Sequence, residues 1–559
     1  MEINRKSLLT SAVLGVATVA IVFICYIVLG MNIVDNKENV SIDKGWTVKI
    51  NDEVYENIDL NTFRFPHLKK GDTAELTNVL PEQLPPCPTM SFLTKYASVD
   101  VYVNDKNIYS YGDTRIEDDK LLGCGNHWIS FEGTNAGGEI RVLLKAGEDN
   151  AFNEFKPIVI NSSDNTYKNF IRYNLAPGMI GIFLIVFGLI LFITSAMMLV
   201  FNKEFMKLCC IALFSLFAGI WILCTYNILQ LISPQPWVKS YAEFISLFLT
   251  PLPIIILFYD TKSMSEKAAV FINVLWWLNI MFCITAIFLQ AANIVHFYNI
   301  LFLFQLLLFT DAVYFIYLSL KDIKNKELNT FEKSFTISIL VLLLFGAGEV
   351  LRYNVQRFFG HTGIMAITSI MPVGAVVFVL IMVISYCIYF FEMLKENAEN
   401  KFLSKLAYSD YLTEVNNRTK CELIFKELDE NPCEYAILDF DLNNLKVVND
   451  ALGHLYGDEL IKNFANMLTE CFGEFGTVGR MGGDEFIVIL KNVTPDIVHE
   501  RIEVMSSTIS AINAKDENKK LQISVSYGYA FSDEVSENDV SKVYKLADER
   551  MYIMKGLMK

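Results

Sequence analysis

Charged residues are scarce in this chain of 559 residues: Asp, Glu, Lys and Arg together make up 19%, where a soluble globular chain carries about a quarter. Set beside a hydrophobic content of 53%, the deficit excludes a cytosolic enzyme, a secreted protein and a disordered or fibrous chain. Basic residues are short relative to acidic ones, 47 against 62, which argues against nucleic acid as a main partner. The six histidines and 11 cysteines form no spacing of the kind that holds zinc.

What is abundant is apolar sequence in long runs. Residues 8–29 carry no charge and follow Arg5 and Lys6, with no small-residue cleavage pattern after them, so a retained membrane anchor is expected. Seven more runs follow at about 176–201, 207–228, 241–260, 268–291, 298–320, 334–351 and 364–391. Each is long enough to cross roughly 30 Å of hydrocarbon as a helix. With the N-terminus inside, one set of turns holds Lys203, Lys207, Lys262, Lys267, Lys321, Lys324, Lys326 and Lys333, and the other only Lys239, Arg352 and Arg357. That bias puts residues 35–173 outside and the C-terminal region in the cytoplasm.

Both polar regions are acidic: residues 31–173 hold 22 acidic and 15 basic side chains, and residues 393–559 hold 29 and 19. Six cysteines lie in the spans, and Cys421, Cys433 and Cys471 in the C-terminal region. Cys87 and Cys124 are left to face outside, free or bridged, since spacing alone does not show their proximity.

The outer region reads as strands and turns. SVDVYVND at 98–105 alternates apolar and polar residues up to an Asn-Asp turn, and a Gly-Gly pair at 137–138 leads into a second strand from Ile140. An all-β sandwich is expected. The stretch VDVYVNDKNIYSYG at 99–112 resembles the jelly-roll, carbohydrate-binding-like sensor domains attached to bacterial seven-helix receptors. The resemblance makes a carbohydrate one candidate for an extracellular ligand. Trp46 and Trp128 are read as packing residues rather than sugar platforms. Within the spans, Asp311 near the middle of one and Glu349 near the end of another need partners at that depth. An interhelix hydrogen bond is the expected role of Asp311.

Chemistry-bearing text begins near residue 408. DYLT at 410–413, with Asn417 and Arg418, is followed by DFDLNNLKVVNDALGHLYGD at 439–458, RMGGDEF at 480–486 and ADERMYIMK at 547–555. A short apolar strand from Ala436 to Phe440 ends in carboxylates, and a second strand runs from Ile487 to Leu490. Met481 and the two glycines between them suit a tight turn that lets a ligand approach the backbone. Asp441 and Asp484 on neighbouring strand ends make an all-oxygen site suited to Mg²⁺. Nearby lysines would neutralise phosphate, as in metal-dependent nucleotidyl transfer.

These four blocks, in this order, resemble the GGDEF family of diguanylate cyclases across 408–559. The resemblance implies condensation of two GTP into cyclic di-GMP with release of two pyrophosphates, on an α/β domain with a palm-like central sheet. It further implies two Mg²⁺ per active site, with Mn²⁺ as a substitute, held by Asp441, the carbonyl of Leu442, Asp484 and Glu485. Glu485 and Asp484 are the catalytic candidates. Asn449 and Asp458 would read the guanine edge. Lys446, Lys555 and Lys559 would contact phosphates, and the Gly482–Gly483 backbone would lie against them.

Some positions depart from the family pattern. Asn443 and Leu445 replace a common Asp and Phe, Glu414 stands where Gly is common, and Lys559 replaces an Arg and loses its bidentate fork. The family's inhibitory RxxD falls on Gly473 and Gly476, which carry no charge, so product inhibition through that site is not expected.

Residues 392–406 contain neither Pro nor Gly, and Leu394, Ala398, Phe402 and Leu406 recur every four residues, which suits one continuous helix, either an ordinary connector or one that makes a short helix–helix contact. The expected organisation is an anchor (1–34), an extracellular β-sandwich (35–173), a seven-helix module (174–392), a connector helix (393–409) and a GGDEF domain (410–559). As a whole the chain reads as a multi-pass cell-membrane receptor with eight spans. The resemblance implies one GTP per domain, so a homodimer is expected for the reaction. The rival readings are a receptor whose GGDEF domain binds GTP or a partner without turnover, and a transporter with a regulatory domain. The spans lack the chain of polar groups the transporter would need.

Overall fold

The computed structural model describes residues 40–149, 151, 158–261, 264–323, 330–359, 369–431, 433–515, 522–535 and 539–557. The anchor expected over 8–29 and the phosphate contact expected of Lys559 lie outside the described residues. The chain divides into two compact units, Met1–Phe390 and Phe391–Lys559.

The described residues of the first unit begin with ten strands: β1 (Val40–Ser41), β2 (Trp46–Ile50), β3 (Glu53–Ile58), β4 (Thr73–Val79), β5 (Pro88–Lys95), β6 (Ala97–Val103), β7 (Lys106–Tyr111), β8 (Cys124–Ser130), β9 (Glu139–Ala146) and β10 (Val159–Ser162). They form a six-stranded sheet in the order β3-β2-β4-β9-β6-β7 and a four-stranded one, β1-β10-β5-β8, antiparallel throughout. Alternate residues from both sheets, among them Val48, Leu76, Met90, Val99, Val142 and Ile160, share one core, which makes the β domain a sandwich. The alternation at 98–105 reports β6, and Asn104 and Asp105 both take positive φ (49° and 62°), as a two-residue hairpin turn between right-twisted strands requires.

Both outer tryptophans are occupied by packing. Trp46 is fully buried, with its indole N–H donated to the Ile42 carbonyl at 2.6 Å. Trp128 packs against Tyr167 and Phe170 of α1 (Ser163–Tyr173), with ring centroids 5.4 and 5.1 Å apart. Cys87 and Cys124 are free. Cys124 lies opposite Lys95, whereas Cys87 precedes β5 at the end where Thr89 lies opposite Ser130. The eight residues of β5 lie between the levels of the two cysteines and hold them more than about 20 Å apart.

Among the described residues, seven helices that follow are long and apolar enough to cross a membrane. They are α2 (Leu175–Leu199), α3 (Phe205–Thr225), α4 (Pro236–Thr261), α5 (Glu266–Ala291), α6 (Phe297–Ile323), α7 (Thr330–Phe359) and α8 (Met371–Tyr408). Helix α4 is interrupted after Leu249, where Pro251 and Pro253 remove amide donors. Helices α2 and α3 meet at glycines: a Cβ on Gly219 would stand 2.8 Å from the Gly181 carbonyl. Asp311 on α6 accepts a hydrogen bond from Asn279 of α5 at 3.0 Å, the interhelix role expected of it. Glu349 pairs with Arg352 and accepts from Ser369. The connector is one unbroken helix, since α8 continues to Tyr408, and Leu394, Phe402 and Leu406 are exposed on it.

The β domain and the helices are packed as one body. β8 is an edge strand, and its free edge is met by side chains instead of another strand. The Gln230 amide accepts from Asn126 N (2.9 Å) and donates to Asn126 O (3.2 Å), reproducing a peptide–peptide pair. Ser240 Oγ accepts from Cys124 N, and Lys239 Nζ donates to Cys124 O. Gly125 permits the approach, because a Cβ there would lie 2.6 Å from Gln230 Nε2. The same apolar cluster runs from the sandwich into Phe244, Phe248, Phe297 and Phe304 of the helices.

The second unit is an α/β domain. Its sheet, in the order β11-β13-β14-β12-β15, consists of β11 (Asn416–Asn417), β12 (Tyr435–Leu442), β13 (Gly476–Arg480), β14 (Glu485–Lys491) and β15 (Val525–Phe531). Its helices are α9 (Arg418–Glu430), α10 (Leu445–Leu452), α11 (His454–Phe472), α12 (Pro495–Lys515) and α13 (Val540–Leu557). Leu438, Phe440 and Leu442 face α11 and α12, while Tyr435 and Ile437 face α9 and α13. β12 is therefore apolar on both faces, as a central strand covered by helices must be, until Asp439 and Asp441 interrupt it.

Helix α13 lies backbone against backbone on β15. A Cβ on Gly528 would stand 2.2 Å from Ala547 O and 2.3 Å from Met551 N. Gly528→Ala is expected to destabilise the isolated unit 391–559 by about 2–3 kcal/mol, read as a thermal midpoint roughly 5–10 °C lower.

Candidate active site

Two strand ends build the site. Antiparallel pairing puts Asp441 of β12 opposite Glu485 of β14 on one side and Ser526 of β15 on the other. One residue on, the Leu442 amide donates to the Asp484 carbonyl at 2.9 Å. Asp441, Leu442, Asp484 and Glu485, nominated from sequence, are thus brought to one place by register alone.

The Gly-Gly turn is held from beneath. Arg480 donates through Nε to Gly482 O (3.0 Å), through Nη2 to Gly483 O (2.7 Å) and through Nη1 to Asp410 Oδ1 (3.0 Å). Asp410 Oδ1 also accepts from the Thr413 amide and hydroxyl, at 3.0 and 2.7 Å. The first and third sequence blocks are therefore one device, a guanidinium fork that fixes two turn carbonyls and is anchored on a carboxylate. Sequence reasoning quoted both residues and gave neither a role. Above the turn, a Cβ on Gly483 would meet nothing within 4 Å, so this backbone is open to a ligand.

The remaining candidates are placed by α10, α11 and α13. Gly453, with φ 94°, turns the chain between α10 and α11. Gly457 then lies against Asn449, where a Cβ would be 2.0 Å from the amide oxygen. Asn449 and the neighbour of Asp458 are so brought together. Lys446 is exposed in the first turn of α10. Lys555 of α13 is ion-paired with Asp441 through Oδ2.

The departures from the family pattern acquire physical reasons. Asn443 donates through Nδ2 to Ser524 Oγ and Ser526 Oγ at 3.2 and 3.1 Å, which a carboxylate could not do. Leu445 packs against the core beneath α10. Glu414 has φ +60°, the left-handed region that glycine enters without cost.

One buried carboxyl was passed over in the sequence. Asp439 shares a strand face with Asp441, is 3% exposed, and leaves Oδ1 without a hydrogen-bond partner. Burial, followed by the charges of Asp548, Glu485 and Asp441, pushes its pKa up to about 8.

Whether these residues suit a divalent metal is decided by the donor set. Among the described residues no group of three or more His, Cys, Asp or Glu side chains is close enough to hold an ion alone. Asp441 nonetheless keeps Oδ1 buried and unpartnered at the strand end. Carboxylate oxygens beside a backbone carbonyl, with ligands still to come from water and phosphate, suit Mg²⁺. The residues fit.

Residues 407–559 match the family model described as "Diguanylate cyclase, GGDEF domain". The chain is 33% identical to the signaling protein YkoW of Bacillus subtilis over 171 residues, 29% of this chain and 21% of that one. It is 25% identical to the probable diguanylate cyclase DgcT of Escherichia coli over 151 residues, 26% and 33% of the two chains. It is 29% identical to the cyclic di-GMP phosphodiesterase PdeR of Escherichia coli over 171 residues, 29% and 25%. The chain spans about a fifth to a third of the length of these relatives. A GGDEF domain occupies the C-terminal part of the chain.

The clamp under the turn gives a pH dependence. Burial raises Asp410, but hydrogen bonds from Thr413 and Arg480 outweigh it and hold the carboxyl below its ordinary 3.8. A depressed pKa contributes stability above the unfolded value and loses it as pH falls through the folded one. Asp410→Asn is expected to cost about 1–3 kcal/mol at neutral pH. In urea titrations of unit 391–559 that gap is constant above about pH 5 and narrows below about pH 4. At the strained turn, Glu414→Gly is expected to leave the fold unchanged and raise stability by up to about 1 kcal/mol.

Proposed function

We propose that the chain is a membrane-bound sensor diguanylate cyclase that condenses two GTP into cyclic di-GMP. The observation that carries this reading is the meeting of Asp441 and Leu442 with Asp484 and Glu485 beside an open Gly483 backbone, with one Asp441 oxygen buried and unpartnered. Asp441, the Leu442 carbonyl, Asp484 and Glu485 would hold two Mg²⁺, or Mn²⁺. Bound metal supplies positive charge for the attacking and leaving oxygens.

Each 3′-hydroxyl attacks the α-phosphorus of the other GTP, the α–β phosphoanhydride bond breaks and pyrophosphate leaves. Glu485 takes the hydroxyl proton. Asn449 and Asp458 read guanine through complementary donors and acceptors. Lys446, Lys555 and Lys559 hold phosphate oxygens, and for this Lys555 exchanges its ion pair with Asp441 for phosphate.

Two such domains face each other in a homodimer, because attack is in line and reacting atoms approach to about 3–3.5 Å. The exposed Leu394, Phe402 and Leu406 on continuous α8 support a helix–helix contact next to the catalytic domain. The lysine bias of the turns supports an outside β domain, which receives the signal, and a GGDEF domain on the cytoplasmic face.

A second reading, a GTP- or partner-binding module without turnover, is favoured by the occupation of Asp441 by Lys555. Membranes with the full-length chain, given GTP and Mg²⁺, are expected to form cyclic di-GMP, and Asp484→Ala to lower the rate at least about 100-fold. GTP bound without product by either protein would favour the second reading.

Product control through an RxxD site is not part of this proposal. A Cβ on Gly473 would lie 2.5 Å from Thr469 O, and one on Gly476 2.2 Å from Ile489 O, so neither position accepts the missing side chains. Calorimetric titration of unit 391–559 with cyclic di-GMP is expected to show no tight binding outside the active site.

A further inference from the structure

Among the described residues two histidines are buried in the first unit, and the groups they face give them opposite chemistry. His127, 1% exposed, bonds Thr94 Oγ1 through Nε2 at 2.7 Å and Tyr109 Oη through Nδ1 at 2.9 Å. Hydroxyls donate or accept, so a neutral ring is satisfied there, and burial alone drives its pKa down to about 3.

His296 stands in the turn between α5 and α6, 6% exposed, and reaches into the β domain. Its Nδ1 meets the Glu148 carboxylate, and its Nε2 meets the backbone carbonyl of Asp119 at 3.0 Å. Both partners are acceptors. A neutral imidazole carries one N–H and satisfies only one of them, leaving a lone pair against the other. The second Glu148 oxygen is taken by Asn299 Nδ2 at 3.1 Å. Whether the extra proton is drawn on Nδ1 or on the carboxyl, the pair holds one proton more than a neutral ring beside a carboxylate.

On the β-domain side, Lys70 pairs with the Asp119 side chain, and its backbone N–H donates to Asp149 at 3.0 Å. Among the described residues, the helical side adds to the cavity at this junction, besides His296 itself, the uncharged Asn293, Ile294, Val295 and Asn299.

We propose that the junction is a proton-binding site: a proton held between His296 and Glu148 clasps the β domain onto the start of α6, and its loss in alkaline medium opens the clasp. The ligand is the proton itself. Phe297, the next residue, belongs to the apolar cluster shared by sandwich and helices, so the opening falls where the two are joined. The inference does not depend on the cyclase reading.

Burial lowers the pKa of His296, but the hydrogen bond and charge of Glu148, with the Asp119 carbonyl, outweigh it, and the net shift is upward from 6.5. A raised pKa gives stability that is complete below the free-histidine value and disappears as pH rises through the bound one.

Hydrogen–deuterium exchange of the full chain in lipid nanodiscs, between about pH 6 and about pH 9 and corrected for intrinsic rates, tests this. Protection of amides 119–122 and 295–299 is expected to be flat below about pH 6.5 and to fall above it by up to about tenfold per pH unit. Glu148→Gln supplies a neutral donor to Nδ1, frees Nε2–H for Asp119, and is expected to keep protection flat. Protection that is independent of pH in the wild type, or that falls equally in Glu148→Gln, would overturn the proposal.

Discussion

The antiparallel register of β12 on β14 is the constraint on which the second unit depends. It places Asp441 across from Glu485 and lets Leu442 donate to Asp484. A slip of one residue would turn Asp441 to the face occupied by Phe440 and destroy site and core together. The register is secured on both faces, by Leu438, Phe440 and Leu442 under α11 and α12 and by Ile437 and Ile489 under α9 and α13. The Arg480 fork then fixes the turn that the register delivers. The unpartnered oxygens of Asp441 and Asp439 are the counterpart of this order. A central strand covered on both faces carries two carboxyls that each keep one oxygen without a protein donor, an arrangement suited to a site completed by a cation.

A different constraint governs the first unit. An edge strand exposes unpaired backbone groups and invites association; here Gln230, Lys239 and Ser240 meet them instead. The β domain is bound to the helices by backbone-like hydrogen bonds, a continuous apolar cluster and the His296–Glu148 clasp. The sandwich and the helices therefore share one packed interior, and such interiors rearrange between discrete states rather than deforming smoothly.

Much of this was legible in the sequence because the signals were periodic or local. Alternation disclosed β6 and its Asn-Asp turn, long uncharged runs disclosed the seven helices, and the four blocks disclosed a GGDEF domain. The hidden features depend on residues far apart in the chain. Asp410 and Arg480 are separated by 70 residues, and only the β11–β13 pairing shows them to be one clamp. Gln230 is an unremarkable loop glutamine until β8 arrives beside it. The two cysteines free to pair outside were left open by counting, and the β5–β8 ladder sets them apart. The motif gives the metal role to Asp441 and none to Asp439, and only the covered strand shows the second carboxyl buried beside the first.

The central claim is that paired strand ends make a divalent-metal site completed by a guanine nucleotide. Electron paramagnetic resonance of Mn²⁺ with unit 391–559 and a non-hydrolysable GTP analogue tests it most directly, independently of turnover or dimerisation. The account predicts a bound-Mn²⁺ spectrum that requires the analogue and is lost in Asp441→Asn. An unchanged spectrum in that variant, or no bound Mn²⁺ in the wild type, would contradict it.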